Sequence, residues 1–156
     1  MFSAKESVPV FGFKARVPLK DGRFDRTEVD MKLGGLLVES KLTETDFQQK
    51  RRAVVQGYRD FSRVFDRRGL PRAGGDYLSY QLIRNVLAAY ASGCSFCVMA
   101  DARRPDLIEA WHTVMRAVRP VDLRIRCKVL SWQELCEVLP RQVRKFLAQK
   151  YAITAP

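Results

Sequence analysis

Apolar and polar positions alternate on both sides of Gly34-Gly35, and this alternation predicts a β-hairpin. A Gly-Gly pair supplies the positive φ angles that two-residue hairpin turns require. With these glycines as the turn, Leu33 lies opposite Leu36, and the strands cover about residues 27–33 and 36–41. One face then carries apolar side chains that can pack on a core: Val29, Met31, Leu33, Leu36 and Val38.

The other face of the predicted hairpin is charged. The same register places Asp30 opposite Glu39 and Glu28 opposite Lys41. Two facing carboxylates repel each other, and a cation between them relieves the repulsion. Leu37 would lie among these charges, which favours a partly enclosed cleft over open solvent. The pattern therefore outlines a metal site with a lysine beside it.

The rest of the chain predicts a mixed α/β order. A strand within residues 10–17, followed by a turn at 20–22, leads into the hairpin and completes an antiparallel three-strand meander. The later patterns predict a helix over about 45–65, a loop at 69–76, a helix over 77–91 ended by Gly93, a buried parallel strand at 94–100, a helix over 105–118, a half-buried strand at 123–130, and terminal helices over 132–151. The expected fold is α/β, with the meander and parallel strands in one mixed sheet flanked by helices.

Length and charge restrict the classes of function that the chain can have. The 156 residues predict one domain spanning 1–156, and no apolar run is long enough for a membrane span. The first residues lack the pattern of a secretion signal, so a cytoplasmic location is expected. The net charge of +11 favours a polyanion partner, with nucleic acid the common one. The alternative is an ordinary enzyme from an Arg-rich proteome.

Two other sequence features could indicate metal or redox chemistry, but each has a simpler structural explanation. Cys94 and Cys97 lie three residues apart within a predicted strand, so their thiols point to opposite faces, and buried reduced cysteines are expected. His112 is the only histidine and has no partner at ligand spacing. Gly34-Gly35 lacks the remaining residues of a nucleotide-binding loop.

Asp30 followed by Glu39-Ser40-Lys41 resembles the PD-(D/E)XK signature of restriction-endonuclease-like nucleases. The resemblance covers about residues 8–131 and implies that family's core. It further implies an endonuclease that hydrolyses DNA with Mg²⁺ or Mn²⁺. Asp30, Glu39 and the Ser40 carbonyl would hold the metal, and Lys41 would assist the attacking water. Many members carry another acid on a helix before the meander; Glu28 or Glu6 is the candidate here.

A polar stripe of Gln81, Arg84 and Asn85 runs along the otherwise apolar helix predicted at 77–91. By the resemblance, Gln81 and Arg84 would lean toward the metal or the scissile phosphate. In the alternative, these side chains bind backbone carbonyls or face water. Gln81 is therefore a candidate catalytic residue, and Arg84 a candidate phosphate contact.

Further arginines are candidates for binding the phosphate backbone. They begin the helix after the catalytic strand, flank a mobile loop, or follow the end of the buried strand: Arg51, Arg52, Arg67, Arg68, Arg72, Arg103 and Arg104. A homodimer is expected if both strands of a duplex are cut, because that needs two sites. Two alternatives stay open. One is a non-cleaving nucleic-acid-binding or assembly module on the same fold, and the other is a hairpin whose charges only pair on a solvent face.

Overall fold

The structure, a computed structural model, describes residues 8–156. Its strands are β1 Val10–Lys14, β2 Val17–Pro18, β3 Phe24–Asp25, β4 Glu28–Leu33, β5 Leu36–Ser40, β6 Gln49–Arg51, β7 Arg72–Ala73, β8 Asp76–Leu78, β9 Ser95–Ala100 and β10 Cys127–Ser131. Its helices are α1 Arg52–Val55, α2 Phe61–Val64, α3 Tyr80–Ser92, α4 Pro105–Arg116, α5 Val121–Arg126, α6 Trp132–Cys136 and α7 Arg141–Tyr151. Glu6 lies outside the described residues.

The central sheet has five strands in the order β1-β4-β5-β9-β10. The first three are antiparallel neighbours, and β5, β9 and β10 are parallel to one another. Parallel neighbours need crossover connections, and helical segments supply them here. The predicted α/β fold, with a meander joined to parallel strands and flanked by helices, is confirmed.

The hairpin turns at the predicted glycines, with Gly34 at φ 55°. Leu33 pairs with Leu36 and Met31 with Val38, as the alternation predicts. This is the register that places Asp30 opposite Glu39, although the paired ladder ends at Met31 and Val38, before those two residues are reached. The Asp30 side chain reaches across, and its Oδ2 accepts the Ser40 N–H at 2.7 Å.

The burial of the two faces of the β4–β5 hairpin is not what the alternation predicts. The charged face is the more deeply buried one: Leu37, Glu39 and Lys41 are 0%, 2% and 4% exposed. Leu33, on the face predicted to be apolar and buried, is 37% exposed. The reason is that α3 packs on the face of β5 that carries Leu37 and Glu39.

The helix predicted over 45–65 is wrong. The segment instead forms β6, α1 and α2, and β6 pairs with β8. Most of its apolar side chains are nevertheless buried, whereas Val54 is exposed; the buried ones are Phe47, Val55, Tyr58, Phe61 and Phe65. Helical spacing alone cannot distinguish one long helix from several short elements that bury the same side chains.

Two further segments differ from prediction. Residues 69–76 are not entirely a loop, because β7 and β8 form a short hairpin there with Gly74 at φ 55°. The strand predicted at 123–130 is the helix α5 followed by β10. Ile125, predicted to be buried, is 62% exposed. Pro120 precedes α5, and Arg126 lies 3.6 Å from Asp122 one turn earlier, which favours a helix over an alternating strand.

Several local predictions are confirmed. Helix α3 ends at Gly93, which has a φ of 68°. Pro105 occupies the first turn of α4, and α7 has the predicted bounds. Ser131 and Glu134 form the capping box at the start of α6. All four cysteines are free and buried. None of the helices formed by residues 8–156 is both long and apolar enough to cross a membrane.

The apolar interior has two parts. The larger core packs the sheet against α3 and α4 through residues such as Leu37, Phe96 and Leu87. A smaller cluster of Cys136, Leu147 and Ile153 belongs to the C-terminal segment, where Leu42, Trp132, Leu139 and Tyr151 also pack. The terminal helices therefore attach to the chain that leaves β5.

Asp101, at the end of β9, connects this C-terminal segment to the sheet. Its carboxylate accepts hydrogen bonds from Arg103 at 2.6 Å and Gln133 at 2.7 Å. Arg103 also donates to the carbonyls of Tyr151 and Ala152. The Arg103 guanidinium outweighs burial and holds the pKa of Asp101 well below its ordinary 3.8.

Replacing Asp101 with asparagine should lower the free energy of unfolding by about 1–2 kcal/mol at neutral pH. Because the folded-state pKa is depressed, this stabilisation is complete above the ordinary pKa of 3.8 and is lost as pH falls below it. The penalty of Asp101→Asn should therefore shrink on acidification. Urea titrations at neutral pH and near pH 3 measure it, with exposed Glu109→Gln on α4 as control. A penalty independent of pH would contradict the assignment.

Candidate active site

Lys41 directly follows β5 and is 4% exposed. Its Nζ donates to Gln81 Oε1 at 2.8 Å and lies 3.4 Å from Glu39 Oε1. Its backbone is fixed too, because its N–H donates to the Met99 carbonyl and its carbonyl accepts the Trp132 indole N–H at 3.2 Å. A buried ammonium needs such partners, and here an amide and a carboxylate provide them.

Glu39 is 2% exposed, and its Oε2 accepts the amide of Asn85 at 2.8 Å. Burial raises the pKa of this carboxyl, and the negative charge of Asp30 raises it further. Lys41, Asn85 and Arg84 oppose both effects without cancelling them. Perturbed carboxyl groups of this kind are typical of functional sites.

Asp30 is the exposed member of the acidic pair. It lines a cavity of about 440 Å³ together with Ser40. Its hydrogen bond to the Ser40 N–H holds the carboxylate against the end of β5. The charge is therefore close enough to shift Glu39 while remaining open to the cavity.

Helix α3 supplies the two amides that contact the charged pair. Gln81 and Asn85 are four residues apart, so they share one face of the helix. The start of α3 is held by the preceding chain, since Gln81 N–H donates to the Phe47 carbonyl at 3.0 Å and Tyr80 N–H to that of Gln48 at 2.9 Å. The structure thus brings Gln81 beside Lys41, the position that the polar stripe suggested.

Arg84 does not reach the surface, so the structure does not support its predicted contact with a phosphate of nucleic acid. The residue is 2% exposed, and its Nη2 donates to the Glu28 carbonyl at 2.8 Å. Its Nε and Nη1 are buried without a hydrogen-bond partner among the described residues. This matches the alternative in which the stripe binds backbone. Glu28, a candidate third acid, pairs with Lys14 at 3.9 Å.

The remaining candidate arginines fall into two groups. Five are exposed: Arg51, Arg52, Arg67, Arg68 and Arg72. Of these, Arg67 and Arg68 share a surface cavity of about 480 Å³ with Arg119. The other two are engaged within the protein: Arg103 as described, and Arg104 through Asp106 and the carbonyls of Glu44 and Thr45. The second group fastens loops at the end of the sheet.

Sequence reasoning gave no role to two residues near the site. Asn85 appeared in the polar stripe, but only the fold shows that it holds Glu39. Glu44 accepts the N–H groups of Leu42 and Thr43, both at 3.1 Å. Burial acts against ionisation of Glu44, but these N–H groups and Lys41 outweigh it and lower its pKa. In the sequence, only the closeness of Glu44 to Lys41 could have indicated that Glu44 lies near the site.

The donor set fits a hard divalent cation. Asp30 and Glu39 bring two carboxylates together, and a cation would relieve the repulsion that raises the pKa of Glu39. The Asn85 Oδ1 is buried beside this pair without a hydrogen-bond partner. Among residues 8–156, no group of three or more His, Cys, Asp and Glu side chains is assembled for a metal. A backbone carbonyl or water would complete the shell.

The fold and this pair of acids beside a buried lysine define a restriction-endonuclease-like α/β protein. A family model described as Restriction Endonuclease associating with ARP matches residues 1–152, and the chain belongs to this family. Membership indicates a nuclease-like role on nucleic acid. No curated protein and no solved structure matches the chain. The alternative of charges paired on a solvent face is wrong, because Glu39 and Lys41 are buried.

Proposed function

We propose that the chain is a metal-dependent endonuclease of the PD-(D/E)XK type that hydrolyses phosphodiester bonds of DNA. The observation that carries the proposal is the buried contact of Lys41 with Glu39 and Gln81, beside the exposed carboxylate of Asp30. Burying a charged pair costs desolvation free energy, and groups held at such a cost cluster at functional sites.

Asp30, Glu39 and the Ser40 carbonyl would hold Mg²⁺ or Mn²⁺. Such a cation lowers the pKa of a bound water and neutralises charge on the phosphate. Hydrolysis adds the water oxygen to phosphorus and breaks one P–O ester bond. Lys41 orients the water and stabilises the charge that develops on the phosphate oxygens.

Two amides position these groups without touching the substrate. Gln81 accepts from Lys41 and limits the directions in which its ammonium can point. Asn85 donates to one oxygen of Glu39, which leaves the other oxygen toward Lys41. Both come from the rigid helix α3, and side chains fixed in this way need less rearrangement during reaction.

The substrate and partners belong to the same proposal. A net charge of +11 and the exposed arginines would hold the DNA backbone. A homodimer would cut both strands of a duplex. The family description names an association with ARP, so we include ARP as a partner of this chain.

One observation favours a non-cleaving nucleic-acid-binding module as the second candidate. Both oxygens of Glu39 already contact protein groups, and the carboxylate is almost inaccessible. Incubating the wild-type chain with supercoiled plasmid and single-stranded DNA, with Mg²⁺, Mn²⁺ or EDTA, separates the two. Metal-dependent products support the nuclease. Salt-sensitive binding with no product under either metal, with and without added ARP, supports the module.

The exposed arginines should account for much of the salt dependence of DNA binding. Replacing Arg67, Arg68 and Arg72 with glutamine should reduce the slope of log Kd against log salt by about 3, roughly one unit for each lost phosphate contact. Fluorescence anisotropy across a salt series measures this slope. A control with the same charge change replaces Arg116, Arg124 and Lys128, which are exposed elsewhere. Equal slopes in the two variants would show that the binding surface is not at Arg67, Arg68 and Arg72.

A further inference from the structure

A surface cavity of about 430 Å³ lies at the hairpin formed by β2 and β3, and the roles proposed above do not use it. We call it the hairpin cavity. Its wall consists of Arg16, Arg23, Phe24 and Arg26, all of them exposed. Among residues 8–156, no acidic side chain lines it. Three guanidinium groups in one concave site indicate an anionic ligand, and phosphate oxygens match their donor geometry.

Two of these three guanidinium groups have no acid beside them. Arg23 pairs with Asp21 at 2.6 Å, whereas Arg16 and Arg26 form no salt bridge with any of the described residues. The β2–β3 ladder ends just before these two arginines, so they are the next residue on each strand. Like charges that are brought side by side repel each other, and an anion between them relieves the repulsion.

Asp25, the only acid of β3, does not pair with these arginines, because other groups bind its carboxylate. It accepts hydrogen bonds from the Thr27 N–H at 2.8 Å and from the Tyr58 hydroxyl. Tyr58 is buried, and its hydroxyl also lies 2.8 Å from that of Tyr80. These hydrogen bonds fix the β2–β3 hairpin against the first turn of α3 and leave the cations of the hairpin cavity to an external partner.

The hairpin cavity is on the same side of the sheet as the candidate active site. Strand β2 packs against α3, the helix whose Gln81 accepts from Lys41 at 2.8 Å. Along the backbone, Arg26 precedes Asp30 by four residues, so their Cα atoms are at most about 14 Å apart. Successive phosphates of one DNA strand are about 3.4 Å apart along the helix axis. A strand at the active site can therefore reach the cavity within a few nucleotides.

Phe24 adds an apolar face to this group of cations. Its ring is 54% exposed, although its backbone is held by pairing with Pro18. A lone exposed ring is ordinary on a protein surface. Arginines around an exposed aromatic ring, however, are the combination that binds single-stranded nucleic acid, because phosphates contact the cations while a base stacks on the ring.

The backbone at Arg16 also indicates that its side chain has a role. Arg16 lies in the two-residue connection between β1 and β2 and has a φ of 50°. Glycine adopts this left-handed conformation more readily than residues with a side chain. Strained backbone of this kind clusters at functional sites. An arginine there retains a cation at the hairpin cavity where a glycine would relieve the strain.

We propose that the hairpin cavity binds an unpaired stretch of the DNA substrate, with backbone phosphates on Arg16 and Arg26 and one base stacked on Phe24. This inference rests on the proposed nuclease function and names its substrate class: DNA with a single-stranded segment within a few nucleotides of the active site. A base inside a duplex has both faces stacked on its neighbours, so it cannot also stack on Phe24.

Arg16→Gln/Arg26→Gln tests the phosphate contacts. Arg124→Gln/Lys128→Gln is the control, since it removes the same charge at exposed positions elsewhere. Fluorescence anisotropy follows the binding of a single-stranded oligonucleotide across a salt series in EDTA. The first variant should reduce the slope of log Kd against log salt by about 1.4, roughly 0.7 for each lost phosphate contact, and the control should leave it unchanged.

Phe24→Ser tests the stacked base. Phe11→Ser is its matched control, because Phe11 is 73% exposed and lies outside the hairpin cavity. Phe24→Ser should weaken binding of the single strand at least about fivefold, as loss of one stacked base predicts, and should leave binding of a matched duplex unchanged. Phe11→Ser should change neither. Both positions are mostly exposed, so the core should be undisturbed.

Equal salt slopes in the two double variants would overturn the phosphate contacts. Equal binding in Phe24→Ser and Phe11→Ser would overturn the stacked base. A loss in Phe24→Ser that is the same on single strand and duplex would overturn the unpaired substrate.

Failure of the hairpin cavity is distinguishable from failure of the nuclease, because binding in EDTA does not require catalysis. Metal-dependent cutting by the wild type, with binding unchanged in Phe24→Ser and in Arg16→Gln/Arg26→Gln, would leave the nuclease standing and remove the cavity. Weakened binding in these variants, with no cutting by the wild type under Mg²⁺ or Mn²⁺, would retain the cavity and remove catalysis.

Discussion

Asp30→Asn and Glu39→Gln should each lower the rate of metal-dependent DNA cleavage by about 10²–10³-fold or more. Both substitutions remove a charge that would hold the metal and nearly preserve the shape. The amide that replaces the Asp30 carboxylate retains an oxygen for the Ser40 N–H, so the end of β5 should not move. Initial rates of plasmid nicking across a Mg²⁺ series measure the loss.

Binding measurements show whether such losses are catalytic. In EDTA, both variants should bind DNA as tightly as wild type or more tightly, because each removes a negative charge near the phosphate backbone. Glu109→Gln, at an exposed position on α4, is the control and should leave both properties unchanged. Full activity in either site variant would remove the proposed metal site.

Lys41→Met should lower the free energy of unfolding by about 3–5 kcal/mol at neutral pH, because it leaves the Glu39 carboxylate buried without its cation. The pKa of Glu39 is already raised by burial and by Asp30, and loss of Lys41 should raise it further. The folded state then holds its proton more tightly than the unfolded state. The penalty should therefore be smallest below the ordinary pKa of 4.5 and should grow as pH rises.

Denaturant titrations at several pH values measure this dependence. Glu39→Gln/Lys41→Met removes both charges and should recover most of the loss, with less dependence on pH. Lys128→Met, at an exposed position on β10, should change stability by less than about 0.5 kcal/mol. A Lys41→Met penalty that is the same at every pH would show that Glu39 and Lys41 are not coupled.

The regularities that the sequence predicts correctly are short in range. The Gly34-Gly35 turn, the Leu33 and Leu36 register, and the Ser131 capping box each depend on residues within a few positions of one another. Period and turn chemistry determine such features directly. The buried strand at 94–100 was equally clear, because a continuous apolar run suits a strand covered on both faces.

Predictions were wrong where local spacing allowed two structures. The apolar positions of 45–65 suit one helix, but several short elements bury the same side chains when β6 pairs with β8. The alternation at 123–126 suits a strand, yet Pro120 and the Asp122–Arg126 pair accompany a helix. In the first segment the choice depended on a strand distant in sequence, whereas in the second, local signals for a helix competed with the alternation.

The sequence by itself predicted which residues make up the candidate site, because Asp30, Glu39 and Lys41 follow from one hairpin whose turn and register are local. Only the tertiary structure decided how that site is enclosed. Helix α3 brings Gln81 and Asn85 onto the charged pair from about 40 residues further along the chain, and Trp132 arrives from 91 residues away. It also decided that Arg84 turns inward. No local pattern encodes those contacts, since they arise from the crossovers that stack helices on a parallel sheet.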